Sequence, residues 1–429
     1  MLYGKNRYFR SRAIGDEVYL HVSQNLHHKS VRIDVFLVSD LLYPDHTYTY
    51  LVSRLCERGS RNYPSIRDLN ARLDELFGTY FLTDTLNLAG NSLLHLSVDI
   101  IDSEYCLRFG GNNPLNNACS FLFEVLFEPN LDLDGYPENV LAHEKKIIER
   151  DLESMLNDKL DYARNRCIEE TGRGTVWALS SPGRFSDIEN IDEKIIWEYH
   201  KNLILTCPIH VFLNGNLTER EVLMLETSLL QLLPQRQPCG VSLKPALKPR
   251  SHRKIFEIQS LSQAKYVVSH YTGPVLDMEF YSKLLVFNSL WGGDSHGILF
   301  RDLREKRGIC YYVDSQVERF SGAIYTIVSC SDGDFDIVSR SIDLALNYIR
   351  QQQFPEEFLI QSKALIRSRL ISATFDRDSN LRIYLSSIIT EHEFELHKLS
   401  ECVNHVTAHG VSEVANDLAK GVEYFLHDK

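Results

Sequence analysis

The chain has 429 residues, more than a single hydrophobic core usually supports, so two domains are expected. Hydrophobic residues make up 44% and charged residues 24% of the sequence, which is typical of a globular protein. The net charge of −12 disfavours a nucleic-acid-binding protein, because such proteins normally present a basic surface.

The first half of the chain combines strand-like alternation with helical periodicity. The pattern predicts strands at 17–22 and 31–38, helices at 44–58 and 65–77, and strands at 80–89 and 93–100. Ser65 and Thr218 are expected to cap helices, the latter in a capping box with Glu221. After Pro137 there is neither Gly nor Pro to Glu169, and the apolar spacing predicts one continuous helix.

A proline-rich segment at 233–252 predicts a linker, and the order of elements repeats beyond it. Strands are expected at 254–258, 264–272, 309–318 and 323–331, and helices at 276–290, 297–306, 335–352, 355–376, 393–408 and 411–420. The predicted domains are therefore residues 1–232 and 253–429. Paired strands followed by helices indicate an α+β fold class, with two structurally repeated domains that each pack helices on an antiparallel sheet.

The amino terminus, MLYGKNRYFRSR, has basic residues but no apolar run after them, which disfavours a secretory signal. No segment approaches the roughly 20 apolar residues of a membrane-spanning helix. The nine cysteines are scattered without a C-x-x-C pair and are interpreted as reduced core thiols. Together these features predict a cytoplasmic protein.

The segment from Phe300 to Tyr312, FRDLREKRGICYY, is predicted to run from a helix through a glycine turn into a strand. Arg304 keeps its charge at any working pH, and Tyr311, beyond Gly308, can donate to the same oxygen. Such a pair suits a peptide carbonyl that becomes an oxyanion. Taken alone, the segment favours the alternative of a surface charge cluster followed by an ordinary strand aromatic.

With the preceding residues LLVFNSLWGGDSHGILF, this segment resembles the carboxyl-terminal domain of the insulinase-like (pitrilysin and mitochondrial-processing-peptidase-like) zinc metallopeptidases. That domain has a glycine-rich loop before an L-R-E-K-x-G-x-x-Y signature, and here Gly292, Gly293 and Gly297 stand in the loop. The resemblance implies that Arg304 and Tyr311 match the residues that face the zinc site and help hold the scissile carbonyl. It also implies two repeated domains that form half of a clam-shaped chamber.

Active members of that family carry H-x-x-E-H on a first-domain helix, where the two His bind zinc and the Glu activates water. Gly59-Ser60 corresponds to the Gly-Ser pair that follows the family motif, which puts Tyr50, Ser53 and Arg54 at the His, Glu and His positions. Arg54 has no lone pair to offer a metal. The resemblance therefore predicts a chain without its own metal or cofactor.

The family's third zinc ligand is a Glu on a later helix, and the resemblance matches it to Asp151. A further family Glu, two helical turns earlier, matches Glu144, and this spacing puts both on one side of a helix. The two carboxylates are interpreted either as relics of a metal site or as the solvated face of a long helix. The sequence leaves both interpretations open.

The segments LLYP, NYPSI, LDELFGTYF and NDKLDYARNR look most like the bacterial YmfF-type inactive subunits of this family. Loss of the metal site with retention of Arg304 and Tyr311 implies a zinc-free subunit of a heterodimeric peptidase, whose partner carries H-x-x-E-H and the zinc. The expected substrates are short, unstructured peptides, and leader-peptide removal during peptide maturation is a role implied by family analogy alone. Neither nucleic acid nor membrane is an expected partner.

Two other interpretations of the resemblance stay open. One is a binding or scaffold subunit whose Arg304 and Tyr311 do no chemistry. The other is a homodimeric enzyme with an unorthodox site.

Overall fold

The computed structural model describes residues 9–26, 28–42, 44–108, 113–179, 183–241 and 244–428. The contacts separate two units, Met1–Leu152 with Ser181–Ser242 and Glu153–Ser180 with Leu243–Lys429. Each unit packs helices on one sheet, so the predicted α+β fold with two repeated domains is confirmed. None of the helices in the described residues is long and apolar enough to cross a membrane.

The first unit is built on a six-stranded sheet with the order β1-β2-β6-β3-β5-β4, antiparallel except for the parallel pair β2–β6. Its strands are β1 (Arg10–Gly15), β2 (Val18–Gln24), β3 (Ser30–Asp40), β4 (Tyr80–Leu88), β5 (Asn91–Ile101) and β6 (Ile209–Gly215). Its helices are α1 (Asp45–Cys56), α2 (Ile66–Glu75), α3 (Ser103–Arg108), α4 (Leu115–Phe127), α5 (Glu138–Asn157, which continues past Leu152), α7 (Phe185–Glu189), α8 (Glu193–Thr206) and α9 (Glu219–Leu232).

The second unit has a five-stranded sheet with the order β7-β11-β8-β10-β9, antiparallel except for the parallel pair β7–β11. Its strands are β7 (Arg253–Ile258), β8 (Ala264–Tyr271), β9 (Cys310–Glu318), β10 (Ala323–Cys330) and β11 (Ala419–His427). Its α-helices are α6 (Lys159–Gly172), α10 (Met278–Asn288), α11 (Phe335–Arg350), α12 (Glu356–Phe375), α13 (Arg377–Thr390), α14 (Leu396–His405) and α15 (Ala408–Asp417). Two π-helical segments, Ser289–Gly293 and Phe300–Lys306, and two 3-10 turns, Val176–Ala178 and Asp332–Asp334, complete it.

The helix predicted from Pro137 to Glu169 is two helices, α5 and α6. The Asp158 carboxylate accepts hydrogen bonds from the backbone N–H groups of Leu160 and Asp161 and so starts α6 anew. α6 packs on β8 and β11 in the second unit, whereas the sequence-based boundaries put it in the first domain. The sequence hides the break because helical apolar spacing continues on both sides of it.

Strand β11 lies inside the second sheet, between β7 and β8, whereas the sequence pattern predicts that the chain ends on helices. The helix predicted at 411–420 ends at Asp417, and the residues after it form the strand. Strand β1 is likewise not predicted. The capping predictions are confirmed: the Ser65 side chain accepts from Asp68 N, and Thr218 and Glu221 form a capping box.

All nine cysteines are free thiols. The interpretation of all of them as core residues is wrong for Cys239, which is exposed, and Cys402 is only partly buried.

Candidate functional site

The packing of α1 positions the residues that correspond to the zinc motif. Leu51, Val52 and Leu55 are at most 1% exposed and hold α1 against β4 and β5. Burial of that face turns the neighbouring face, which carries Tyr50 and Arg54 four residues apart, toward α5. The structure thus brings the motif positions of α1 together with the two carboxylates of α5.

Glu144 is the centre of this site, and its side chain has no exposed surface. Arg54 Nε lies 3.0 Å from Glu144 Oε2, and Arg58, just beyond α1, pairs with the other carboxylate oxygen. Burial would lower the pKa of Arg54, but the Glu144 carboxylate more than offsets this effect and the pKa is raised. Burying a carboxylate is costly unless the group is paired and hydrogen-bonded. We call this group the Arg54–Glu144–Arg58 cluster.

Tyr50 and Asp151 form a second contact between the same helices. The Tyr50 hydroxyl donates to Asp151 Oδ2 at 3.1 Å. Burial, together with the charge of Asp151, raises the pKa of Tyr50 to about 12. The phenol therefore stays protonated at neutral pH and acts as a hydrogen-bond donor. A metal ligand would instead have to offer an electron pair.

Ser53, which the resemblance matches to the family's catalytic Glu, is 1% exposed. Its hydroxyl donates to the backbone carbonyl of Tyr50 at 2.7 Å, and its own carbonyl accepts from Thr83 Oγ1 at 2.8 Å. A serine bonded back to its own helix offers neither a carboxylate nor a proton acceptor for water. The position supports the packing of α1 against β4.

These residues do not fit a zinc ion. Zinc takes nitrogen, sulfur and carboxylate ligands, whereas Arg54 presents a guanidinium without a lone pair and Tyr50 a protonated phenol. Elsewhere in the described ranges, no three His, Cys, Asp or Glu side chains are grouped where they could hold a metal.

The structure also bears on one of the two interpretations of the α5 carboxylates, the solvated face of a long helix. That interpretation is wrong for Glu144, whose side chain is fully buried. Asp151 is partly exposed. Sequence reasoning missed Arg58 as a partner of Glu144. Its only signal is the position four residues after Arg54, one helical turn further along the same face.

The three glycines of the predicted loop lie in close contact with neighbouring backbone and side-chain atoms. A Cβ atom on Gly297 would lie 2.9 Å from the carbonyl oxygen of Asp294 and 3.2 Å from the Gly292 backbone. A Cβ atom on Gly293 would lie 2.5 Å from Asn288 Nδ2, which itself donates to the Ser315 carbonyl of β9 at 2.8 Å. This close approach ties both π-helical segments to β9.

Arg304 and Tyr311 stand on either side of one tight turn. Arg304 is an exposed residue of the π-helical segment, and its guanidinium carbon lies 4.9 Å from the centre of the Phe300 ring. The chain then turns at Gly308, whose φ of +64° lies in the left-handed region that glycine adopts without strain.

Tyr311 is the extra residue of a β-bulge in β9, the edge strand of its sheet. Tyr312 pairs with Ser329 and Cys310 with Cys330, so Tyr311 has no partner residue on β10. Bulges of this kind re-aim a side chain. Tyr311 is accordingly 74% exposed.

The polar groups of Arg304 and Tyr311 are open to a ligand. Within the described part of the chain, neither the Arg304 guanidinium nor the Tyr311 hydroxyl has an ion-pair or hydrogen-bond partner. Their neighbours differ: Tyr312 donates to Asp314 Oδ2 at 3.3 Å, and Arg307 Nε pairs with Asp302 Oδ2 at 3.0 Å.

Comparison with known proteins points to the same family. The family model described as the Peptidase M16 inactive domain matches residues 190–365. Over 408 residues, which are 95% of both chains, this chain is 22% identical to the Probable inactive metalloprotease YmfF of Bacillus subtilis (strain 168). Residues 190–365 of this chain thus resemble the inactive domain of the M16, or insulinase-like, peptidases. The predicted resemblance is therefore confirmed.

Solved structures agree with this M16 relationship at the level of the fold. A conserved protein from Enterococcus faecalis V583 superposes with a TM-score of 0.91 at 25% identity, covering 98% of this chain and 99% of the other. A protease from Helicobacter pylori superposes with a TM-score of 0.80 at 10% identity, with the same coverage of 98% and 99%. The fold of these two structures thus extends over nearly all of this chain.

Proposed function

We propose that this chain is the zinc-free, non-catalytic subunit of a heterodimeric insulinase-like metallopeptidase that cleaves short peptides in the cytoplasm. Its partner is an M16 chain with an intact H-x-x-E-H motif, which supplies the zinc. Arg304 and Tyr311 act in trans on the substrate bound at the partner's metal site. Leader-peptide processing is the role that this proposal favours.

The observation that carries the proposal is the Arg54–Glu144–Arg58 cluster. Arg54, at a position that the resemblance matches to a zinc-binding His, is paired with the buried carboxylate of Glu144, and a guanidinium can neither bind zinc nor activate water. At the same time, Arg304 and Tyr311 retain the family spacing and are exposed and unengaged within the described residues. A subunit that lacks the zinc ligands but keeps the Arg and Tyr of the family signature is suited to act on a substrate bound at another subunit's zinc site.

The two side chains suit the charge that develops during peptide hydrolysis. Attack by zinc-bound water places negative charge on the carbonyl oxygen of the substrate, and preorganised donors stabilise that charge. Arg304 offers a permanently charged planar fork, and Tyr311 offers one hydroxyl donor. Loss of one such donor typically lowers turnover by about 10²–10³.

The test reconstitutes the chain with its H-x-x-E-H partner and measures kcat on one cleaved peptide, together with the affinity between the subunits. Tyr311→Phe keeps the ring and its packing, so kcat is expected to fall by about 10² or more while the subunit affinity is unchanged. Tyr312→Phe is the matched control, because its hydroxyl already serves Asp314 on the same strand, and it should leave kcat within about twofold.

Arg304→Lys retains the charge but loses the planar fork, and it is also expected to lower kcat. Arg307→Lys is its matched control, because Arg307 is engaged with Asp302. Normal turnover in both Tyr311→Phe and Arg304→Lys would refute a catalytic contribution and favour the scaffold subunit. Peptide cleavage by the purified chain alone would favour the homodimeric enzyme.

A further inference from the structure

The carboxyl end of α8 is capped by residues 236–239, which follow α9. The last carbonyl groups of a helix have no partner within it and need donors from elsewhere. Three backbone carbonyls at the end of α8 receive such bonds: Ile204 from Arg236 Nε at 2.9 Å, Leu205 from Gln237 N at 3.0 Å, and Thr206 from Cys239 N at 2.8 Å. We call residues 236–239 the α8 cap.

Two cysteines lie side by side at this cap. Cys207 is the first residue after α8 and is 6% exposed, whereas Cys239 is exposed. Because Cys239 N binds the carbonyl of Thr206, fixed backbone dimensions keep the Cα atoms of the two cysteines within about 7 Å. Disulfides usually join Cα atoms about 4.4–6.8 Å apart. Both residues also line one cavity of about 150 Å³.

The two thiols differ in their access to reagents in solution. Burial raises the pKa of Cys207 to about 12, so its thiol is a poor first nucleophile. Cys239 is exposed and can meet a dissolved reagent. Cys239 is therefore suited to be the attacking thiol, and Cys207 to be the resolving thiol that displaces the reagent from it.

We propose that Cys207 and Cys239 form a disulfide-exchange pair that locks the α8 cap when the chain meets a low-molecular-weight disulfide. The Cys239 thiolate attacks the reagent disulfide, forms a mixed disulfide and releases one reagent thiolate. Cys207 then loses its proton to solvent, and its sulfur attacks the Cys239 sulfur and expels the second reagent thiolate. The two cysteines are oxidised and one reagent disulfide is reduced to two thiols. The reaction is independent of the peptidase partnership proposed above.

The test treats the whole chain with oxidised glutathione, alkylates the remaining thiols and maps the peptides by mass spectrometry. We expect a cross-linked Cys207–Cys239 peptide, which is lost in both Cys207→Ser and Cys239→Ser. Cys207→Ser should instead accumulate a glutathione adduct on Cys239, because the resolving thiol is missing. Cys119, which is wholly buried, is the control and should stay unmodified throughout.

A stable glutathione adduct on Cys239 of the unsubstituted chain would overturn the proposal, as would a Cys239 that does not react. Hydrogen exchange tests the locking step. The Cys239 amide, bonded to Thr206, should exchange more slowly in the oxidised chain than in the reduced chain. Equal exchange rates would show that the bridge does not lock the cap.

Discussion

Replacing Arg54 with Met tests whether the ion pair between Arg54 and Glu144 stabilises the packing of α1 on α5. Met keeps an unbranched stem of similar bulk and removes the charge. Glu144, which has no exposed surface, is then paired with Arg58 alone. The carboxylate is still removed from water on folding but loses part of the attraction that offsets this desolvation, so the free energy of unfolding should fall.

The magnitude follows from the geometry of the pair. Two unit charges 3.0 Å apart attract each other by about 5 kcal/mol at an effective dielectric constant of about 20. The Arg54 side chain is 25% exposed and Arg58 remains, so only part of that attraction is lost. Removal of one partner from a buried pair costs about 3–5 kcal/mol, and we expect the lower value here. For a unit of about 200 residues, such a loss lowers Tm by roughly 6–12 °C.

Urea unfolding of the variant and of the unsubstituted chain measures this difference directly. Arg67→Met is the matched control, because Arg67 is an exposed residue of α2 in the same unit, and its effect should stay within about 0.5 kcal/mol. Adding Glu144→Gln to Arg54→Met should cost less than the sum of the two single changes, because each single change already removes the attraction between Arg54 and Glu144. An Arg54→Met chain as stable as Arg67→Met would refute the reasoning.

Three further predictions concern the metal, the partner and pH. Elemental analysis of the purified chain should find no zinc, and one equivalent of zinc that a chelator removes together with activity would contradict the account of the Arg54–Glu144–Arg58 cluster. The chain should form a complex with an H-x-x-E-H subunit that buries about 1,600 Å² or more, and sedimentation showing a persistent monomer in its presence would count against the heterodimer. Burial lowers the pKa of His46, His200 and His210 from 6.5 to about 4, so the unfolded chain binds more protons than the native chain across that range. The free energy of unfolding should therefore fall as pH drops from 6.5 to 4, and constant stability over this window would show that these histidines are not neutral and buried.

Local signals determine much of the fold. Ser65 and Thr218 cap helices because a hydroxyl side chain satisfies a free backbone N–H wherever the helix lies. Alternating apolar residues predict β3 and β5, whose buried faces need no knowledge of the partner strand. The resemblance matches Tyr50, Ser53 and Arg54 to the zinc motif, and residue type then shows that none of the three is a usual zinc ligand.

Tertiary structure alone decides which distant segments meet. Glu144 is a buried partner of Arg54 and Arg58, and not a solvated residue, because α5 packs beside α1 at that point. The same holds for α6, which joins the second sheet, and for β11, which pairs with a strand about 170 residues earlier in the chain. A helical or strand period specifies which face of an element is buried, but it does not specify the surface on which that face packs.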